Sequence, residues 1–203
     1  WRARRAHPTK RRILRRFAET SALELGADQF NAMLSLTNLP AEWKTPGVFL
    51  KLNPYDSAHV YAALQTAMRT YFGRGARGVL LRVGQRLWHN LLDDATFGIK
   101  AQAAVVKRLP LASRRKPTLE LLAKFMGAQS GDIAVHTLDM DLLLVDNASP
   151  STHDQSEPAP ICFVTQGLIR ESLFWATGKN YDVEEIHCKA QGEHACEFKI
   201  TGG

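Results

Sequence analysis

The first two thirds of the chain carries apolar residues three and four positions apart, the spacing of amphipathic helices. This spacing predicts two helices near the N-terminus, with apolar faces formed by Ile13, Leu14, Phe17 and Leu23 and by Phe30, Met33 and Leu34. A third helix, capped by Asp56 or Ser57, is predicted to carry Val60, Leu64, Ala67, Met68 and Tyr71. Two further helices are predicted, one with Leu80, Val83, Leu87, Trp88 and Leu91 and one over residues 118–126, after Pro117.

The last third of the chain has the shorter apolar runs that are typical of strands. Residues 133–138 and 140–145 are predicted to be strands, and a loop rich in Asn, Ser, Pro and Asp follows over residues 147–160. That loop is either a lid or a disordered segment. A helix over residues 161–177 is predicted to end at Gly178, before two C-terminal strands that flank a turn. This order of elements indicates an α+β fold, in which helices pack on an antiparallel sheet.

Positive charge is concentrated at the N-terminus. The basic residues that precede the first acidic residue, Glu19, are Arg2, Arg4, Arg5, Lys10, Arg11, Arg12, Arg15 and Arg16. Subtracting these eight charges from the net charge of +6 leaves −2 for the rest of the chain. We therefore predict a basic arm over residues 1–20 and one folded domain over residues 21–203. The arm is either a solvated segment or one that contacts an acidic surface, and the mildly acidic remainder argues against a nucleic-acid-binding protein.

The composition predicts one cytoplasmic domain. With 203 residues, 45% of them hydrophobic, the chain can bury a core without disulfide bonds. No apolar run approaches the ~18 residues that a bilayer span requires. The basic start is not followed by the apolar segment of a secretory signal, which argues against export.

The strongest chemical signal is the segment 185–200, where cysteine, histidine and acidic side chains surround a glycine turn. Cys188 and Cys196 flank this turn, and Cys162 is the third cysteine of the chain. Three thiols with one carboxylate or imidazole complete the tetrahedral shell of a zinc ion. The residues that compete for the fourth position are Glu185, His187 and His194.

The spacing of these residues does not decide between several arrangements. Because side chains alternate across a strand, Glu185 and Cys188 bind one ion only if a bulge or a strand end brings them to the same face. The same condition applies to His187. Two interpretations without metal remain open, namely a disulfide between Cys188 and Cys196 and three buried thiols.

Enzymatic motifs are weak in this chain. Residues 73–78 read Gly-Arg-Gly-Ala-Arg-Gly, but the dinucleotide-binding fingerprint requires a preceding strand, and a helix is predicted there. No nucleophile motif and no compelling carboxylate pair is present. His89 and His136 are either hydrogen-bonding groups of a pocket or ordinary structural histidines. We therefore predict no catalytic and no cofactor-binding residues, and a binding module is favoured over an enzyme.

The chain resembles V4R (4-vinyl reductase) domains. The resemblance rests on a glycine- and arginine-rich segment over residues 71–84 and on a C-terminal pattern that contains Cys162, Glu185, Cys188, Gly192, Cys196, Phe198 and Ile200. Together these positions span most of residues 55–200. In the zinc-binding branch of the family, found in regulators that sense aromatic compounds, a Cys, a Glu and two further Cys hold the metal.

The resemblance therefore implies a zinc ion bound by Cys162, Glu185, Cys188 and Cys196. Such a shell has no open position, so the implied zinc is structural. At two positions where phenol-sensing relatives carry aromatic hydroxyl residues, this chain has Gln166 and Val183. That departure disfavours phenol itself as the ligand.

The resemblance also implies a homodimeric small-molecule receptor with an apolar pocket between helices and sheet. The residues predicted to line the pocket are Trp88, His89, Phe97, Phe125, Phe163, Phe174 and Trp175. The leading interpretation is a zinc-stabilised domain that binds a small hydrophobic molecule, either aromatic or hydrocarbon. One alternative is a 4-vinyl reductase or carrier in bacteriochlorophyll biosynthesis. The other is a lipid-filled scaffold similar to vesicle-tethering subunits.

Overall fold

The computed structural model describes residues 9–44, 46–127 and 129–202. The helices are α1 (Arg11–Leu25), α2 (Ala27–Ser35), α3 (Pro54–Phe72), α4 (Ala76–Asp93), α5 (Phe97–Arg108), α6 (Arg115–Met126) and α7 (Phe163–Thr177). The strands are β1 (Ile133–Leu138), β2 (Asp141–Asp146), β3 (Asp182–His187) and β4 (Cys196–Thr201). The predicted α+β class is confirmed. Within the described residues, no helix combines the length and the hydropathy needed to cross a bilayer.

The strands form one antiparallel sheet in the order β1-β2-β4-β3. The C-terminal strand β4 therefore lies inside the sheet, between β2 and β3. Leu144 of β2 pairs with Phe198 of β4, and both side chains are buried. Alternate residues of β2 and β4 are buried, so one face of the sheet packs against the core.

Helices α4 and α7 cross at two glycines in the centre of the fold. A methyl group added to Gly84 would overlap the carbonyl oxygen of Val164, and one added to Gly167 would overlap the carbonyl oxygen of Leu81. The absence of both side chains lets the two backbones approach closely. Because α7 follows Cys162 directly, this crossing also fixes where that thiol lies relative to the helical layer.

The folded domain begins earlier than the predicted boundary at residue 21. Residues 1–8 of the predicted arm lie outside the described residues. Residues 11–20 belong to α1, and Ile13, Leu14 and Phe17 are buried in the core, as their helical spacing predicted, whereas Leu23, predicted on the same face, is 74% exposed. The apolar face of α1, rather than the charge pattern, determines where the domain starts.

The arginines of α1 are held against the end of α4. Atoms of Arg12, Arg15 and Arg16 lie 2.9, 3.6 and 2.9 Å from the carboxylate of Asp94. The hydrogen bond from Arg16 lowers the pKa of Asp94 to about 2. These three basic side chains, which were predicted to belong to the arm, therefore form ion pairs within the domain.

Helix α6 begins at Arg115 rather than at residue 118, and helices α3 and α5 also differ from the sequence predictions. Helix α3 is capped by Asn53, whose side-chain oxygen accepts hydrogen bonds from the N–H groups of Tyr55 and Asp56, so the predicted cap at Asp56 or Ser57 is wrong. Pro54 takes the first helical position, where its missing N–H carries no penalty. Helix α5 was not predicted because only Ala103 and Val106 are buried on it, which leaves no apolar stripe to recognise.

The loop over residues 147–160 is packed on α3 rather than disordered. Ser151 is fully buried, and Gln65 Nε2 donates a hydrogen bond to its Oγ at 3.0 Å. Thr66 Oγ1 donates to Gln155 Oε1 at 2.8 Å. The polar side chains of the loop make these hydrogen bonds to one face of α3. Composition alone did not predict them, because it does not distinguish a packed polar loop from a disordered one.

Replacing Gly84 or Gly167 by alanine is expected to destabilise the protein by about 1–3 kcal/mol or more, because the added methyl group forces the two backbones apart. Gly78→Ala in α4 is the matched control, since its methyl group would meet only Arg82 Nη1, at 3.7 Å. The control should be neutral or more stable by about 0.5–1 kcal/mol. Urea unfolding measures all three variants, and equal stability among them would contradict the close crossing.

Candidate metal centre

Four buried side chains converge where α7, β3 and β4 meet. Cys162 directly precedes α7, Glu185 lies in β3, Cys188 follows β3, and Cys196 is the first residue of β4. One ligand atom from each residue, either Sγ or a carboxylate oxygen, lies within 4.8 Å of all the others. The three cysteines are fully buried and Glu185 is 5% exposed. The structure thus brings together the four residues that the family resemblance implied.

A β-bulge places Glu185 and Cys188 on the same side of the chain. The register between β3 and β4 shifts between Glu185 and His187, where Ile186 has no partner on β4. Ile186 and His187 are both exposed, whereas Glu185 and Cys188 are both buried. The bulge satisfies the geometric condition that strand alternation imposes on joint ligation.

The two histidines that competed for the fourth position lie outside the cluster. His187 is exposed, and its Nδ1 lies 3.8 Å from the carboxylate of Glu193. His194 is exposed in the turn. Among the described residues, Glu185 is therefore the side chain that accompanies the three thiols.

The distance between the sulfur atoms of Cys162 and Cys196 matches a metal shell better than a disulfide. Cys162 Sγ and Cys196 Sγ lie 3.6 Å apart, far beyond the ~2.05 Å of a disulfide bond. All three cysteines are free thiols, so the disulfide proposed between Cys188 and Cys196 is absent from this structure. Thiolates that share a zinc ion at about 2.3 Å in tetrahedral geometry lie roughly 3.8 Å apart.

Without a cation, most of the cluster keeps its protons. Burial raises the pKa of Cys162 well above its ordinary value and raises the pKa of Glu185 to about 8. Cys188 differs, because hydrogen bonds from Cys162 and Cys196 lower the pKa of its thiol. Complete ionisation of the cluster therefore requires a positive charge among these groups, which a divalent metal ion supplies.

Hydrogen bonds hold the cluster but leave one carboxylate oxygen unpaired. The N–H of Cys162 donates to Glu185 Oε2 at 2.9 Å, and the N–H of Lys189 donates to Cys196 Sγ at 3.4 Å. Glu185 Oε1 is buried and has no hydrogen-bond partner among the described residues. A buried, unpaired carboxylate oxygen beside three thiols is well suited to bind a metal ion.

Sequence analysis missed a second buried carboxyl group beside the cluster, that of Asp146. This residue ends β2, pairs in register with Cys196 and is 1% exposed. Its Oδ1 accepts a hydrogen bond from the N–H of Ala148 at 2.9 Å, and burial raises its pKa to about 7. The sequence offered no signal for this, because an aspartate at the end of a strand is usually exposed.

Three of the predicted pocket residues form part of the core. The rings of Phe125 and Trp175 meet the ring of Trp88 nearly edge-on, with centroids 5.6 and 5.5 Å from its own. Trp88 is fully buried, and Phe125 is 6% exposed. These rings fill the space between helices α4, α6 and α7.

Three other predicted pocket residues lie on the surface. Phe97 is 88% exposed at the start of α5, and Phe174 is 45% exposed on α7. His89 is exposed and lies 2.8 Å from Glu171. Successive helical residues are rotated by about 100°, and on α4 this rotation keeps Leu87 and Trp88 on the buried face but turns His89 to the exposed one. The structure therefore does not bring the seven predicted residues into one pocket.

A groove of about 550 Å³ opens beside the cysteine cluster. Phe163 lines this groove together with Gln166 and Val183, the two positions singled out by the comparison with phenol sensors. The guanidinium carbon of Arg77 lies 5.8 Å from the centroid of the Phe163 ring. Glu185 belongs both to the groove and to the cluster, so the two sites are contiguous.

Residues 147–201 match the family model of the V4R domain. This segment contains all four residues of the cluster, and the match confirms the V4R resemblance over that part of the chain. The glycine- and arginine-rich segment at residues 71–84 lies outside it. No curated protein sequence matches the chain.

Solved H-NOX structures share the fold. An H-NOX protein from S. oneidensis in the Fe(II)NO ligation state is 16% identical, with a TM-score of 0.54 over 95% of this chain and 98% of that one. An Fe(II) unliganded H-NOX protein from K. algicida is 13% identical, with a TM-score of 0.55 over 94% of this chain and 95% of that one. The phenol-responsive sensory domain of the transcription activator PoxR, solved with phenol, is 15% identical, with a TM-score of 0.48 over 68% and 72%. The H-NOX likeness establishes the fold of this chain.

Asp146→Asn is expected to change how stability depends on pH. The folded-state pKa of about 7 exceeds the ordinary value of 3.8, so the folded state favours the protonated carboxyl group. The contribution of Asp146 to the stability of wild type is therefore fully present below about pH 3.8 and is lost as pH rises through 7, by up to about 4 kcal/mol, whereas asparagine has no charge to bury. Urea unfolding at pH 5 and pH 8 measures the free energy of unfolding of both proteins, and the stability of the variant relative to wild type should be higher at pH 8 than at pH 5. If the difference in free energy of unfolding between the two proteins were the same at both pH values, the raised pKa of Asp146 would be contradicted.

Proposed function

We propose that this chain is a ligand-binding domain stabilised by a structural zinc ion. The observation that carries the proposal is the convergence of Cys162, Glu185, Cys188 and Cys196, with ligand atoms within 4.8 Å of each other in a buried site. All four residues lie in the segment that matches the V4R domain.

A zinc ion at this position links three elements of the fold. Cys162 anchors the start of α7, Cys188 the end of β3, and Cys196 the start of β4. Three thiolates and one carboxylate fill a tetrahedral shell with protein ligands, which is typical of structural rather than catalytic zinc. The N–H donors to Cys196 and Glu185 orient two of these ligands.

The same donor set does not suit the iron chemistry of the H-NOX relatives. Their structures include Fe(II) with NO bound, and such a centre needs an open coordination position. A shell filled by four protein ligands has none. We therefore assign the cysteine cluster no gas-binding role.

The groove beside the cluster is the proposed ligand site. Phe163 and Val183 are apolar lining residues of the groove, and Gln166, which also lines it, is 4% exposed. Gln166 Oε1 has no hydrogen-bond partner among the described residues, so it can accept an O–H or N–H from a ligand. This combination favours a small aromatic compound that carries a hydrogen-bond donor.

Material that co-purifies with the protein distinguishes this function from the two alternatives predicted from the resemblance. A small aromatic compound supports the receptor function. A tetrapyrrole pigment would support a reductase or carrier of bacteriochlorophyll biosynthesis, and an acyl chain would support the scaffold. Native mass spectrometry identifies the material and also counts the subunits, which tests the predicted homodimer.

Cys188→Ser is expected to remove the zinc ion and to lower the free energy of unfolding by more than about 3 kcal/mol, because the binding energy of a structural zinc ion is folding energy. His187→Ala is the matched control, since this neighbouring side chain lies outside the cluster. The control should keep one zinc ion per chain, measured by elemental analysis. Wild-type protein without metal, or a fully stable Cys188→Ser variant, would contradict the proposal.

Gln166→Leu is expected to weaken the binding of 1-naphthol by about tenfold, because removing a buried hydrogen bond to a ligand costs about 1–3 kcal/mol. Binding of naphthalene, which has no hydroxyl group, should not fall. Gln29→Leu, at an exposed position of α2, is the control. Fluorescence titration measures both compounds, and an equal affinity of wild type and Gln166→Leu for 1-naphthol would contradict the ligand site.

A further inference from the structure

A second group of metal-binding side chains lies apart from the cysteine cluster. It consists of His59 on α3 and of His153 and Asp154 in the loop over residues 147–160, with one ligand atom of each within 4.8 Å of the others. His153 Nε2 lies 3.2 Å from Asp154 Oδ2, and His59 Nδ1 lies 3.9 Å from the same oxygen. The imidazole rings are nearly perpendicular, with centroids 5.9 Å apart, so they do not stack.

Contacts between α3 and the loop hold this arrangement in place. They are the hydrogen bonds from Gln65 to Ser151 at 3.0 Å, from Thr66 to Gln155 at 2.8 Å and from Arg69 to Glu157 at 3.0 Å. None of these contacts involves the two histidines. The backbone segments that carry the three groups are therefore positioned before an ion binds, which lowers the entropic cost of binding.

The surroundings of His153 favour the protonation state that binds metal. The side chain is 11% exposed, and burial lowers its pKa, an effect that outweighs the opposite influence of the Asp154 carboxylate. Neutral imidazole is the form that binds a metal ion. Asp154 is 73% exposed, so the site is open to solvent on the side of the carboxylate.

We propose that His59, His153 and Asp154 bind a divalent transition-metal ion. Two imidazole nitrogens and one carboxylate oxygen form a 2-His-1-carboxylate set, which suits ions such as Ni²⁺, Zn²⁺ and Fe²⁺ and leaves positions for water. With three protein ligands and no thiolate, this site exchanges its ion more readily than the cysteine cluster. The bound ion fastens the loop that leads to Cys162 onto α3.

Calorimetric titration with Ni²⁺ of tag-free protein that holds no more than one zinc ion per chain tests the proposal. We expect one Ni²⁺ per chain in addition to the zinc ion. His59→Ala and His153→Ala should each weaken Ni²⁺ binding by at least about tenfold, since loss of even an outer-shell partner of a metal ligand has an effect of this size. His136→Ala, an exposed histidine on β1, should bind as wild type does.

Trp43 supplies an independent optical signal. Its ring centroid lies 6.5 Å from that of His59, so Ni²⁺ bound at His59 should quench its fluorescence. Asp154→Asn, at an exposed position, serves as a further variant if a histidine variant fails to fold, which far-UV circular dichroism reports. Absence of Ni²⁺ binding to wild type would overturn the proposal. Equal binding by wild type, His59→Ala and Asp154→Asn would overturn it as well, because the ion would then lie elsewhere.

Discussion

Three thiols and one carboxyl group share one buried volume at the junction of α7, β3 and β4. The rest of the C-terminal structure depends on how the charges of these four ionisable groups are balanced. Burial disfavours ionisation of Cys162 and Glu185, whereas hydrogen bonds from two thiols favour ionisation of Cys188. A cation resolves this conflict, because its positive charge stabilises the ionised forms of all four side chains. In the proposed zinc-bound state, the junction is held by coordination to the metal as well as by packing.

The topology of the sheet explains why the cluster has such a central position. Strand β4 lies between β2 and β3, and its first residue, Cys196, pairs with Asp146 of β2 directly beside the last β3 pair, His187 with Glu197. The glycine crossing of α4 and α7 then sets the position of Cys162 above this sheet. Because the groove shares Glu185 with the cluster, a ligand in the groove would contact a side chain that belongs to the proposed zinc site.

The sequence predicted elements wherever one side chain pattern dominated. Helical spacing identified the buried face of α1, and residue types identified the cysteine cluster together with the need for a bulge. It failed where the decisive contacts are remote in sequence. Asp146 is buried only because β4 packs beside it, and Phe97 is exposed because α5 has almost no buried face. The aromatic residues predicted to line a pocket are divided between core and surface. Helical periodicity identifies the side chains on one face of a helix, but it does not show which other element, if any, packs against that face.

X-ray absorption at the zinc edge, recorded on the protein as purified, tests the central claim most directly. The proposed site predicts one zinc ion per chain with three sulfur neighbours at about 2.3 Å and one oxygen neighbour at about 2.0–2.2 Å. A protein that contains no zinc, or one that holds a single zinc ion per chain with imidazole nitrogen in place of sulfur neighbours, would contradict a centre built from Cys162, Glu185, Cys188 and Cys196.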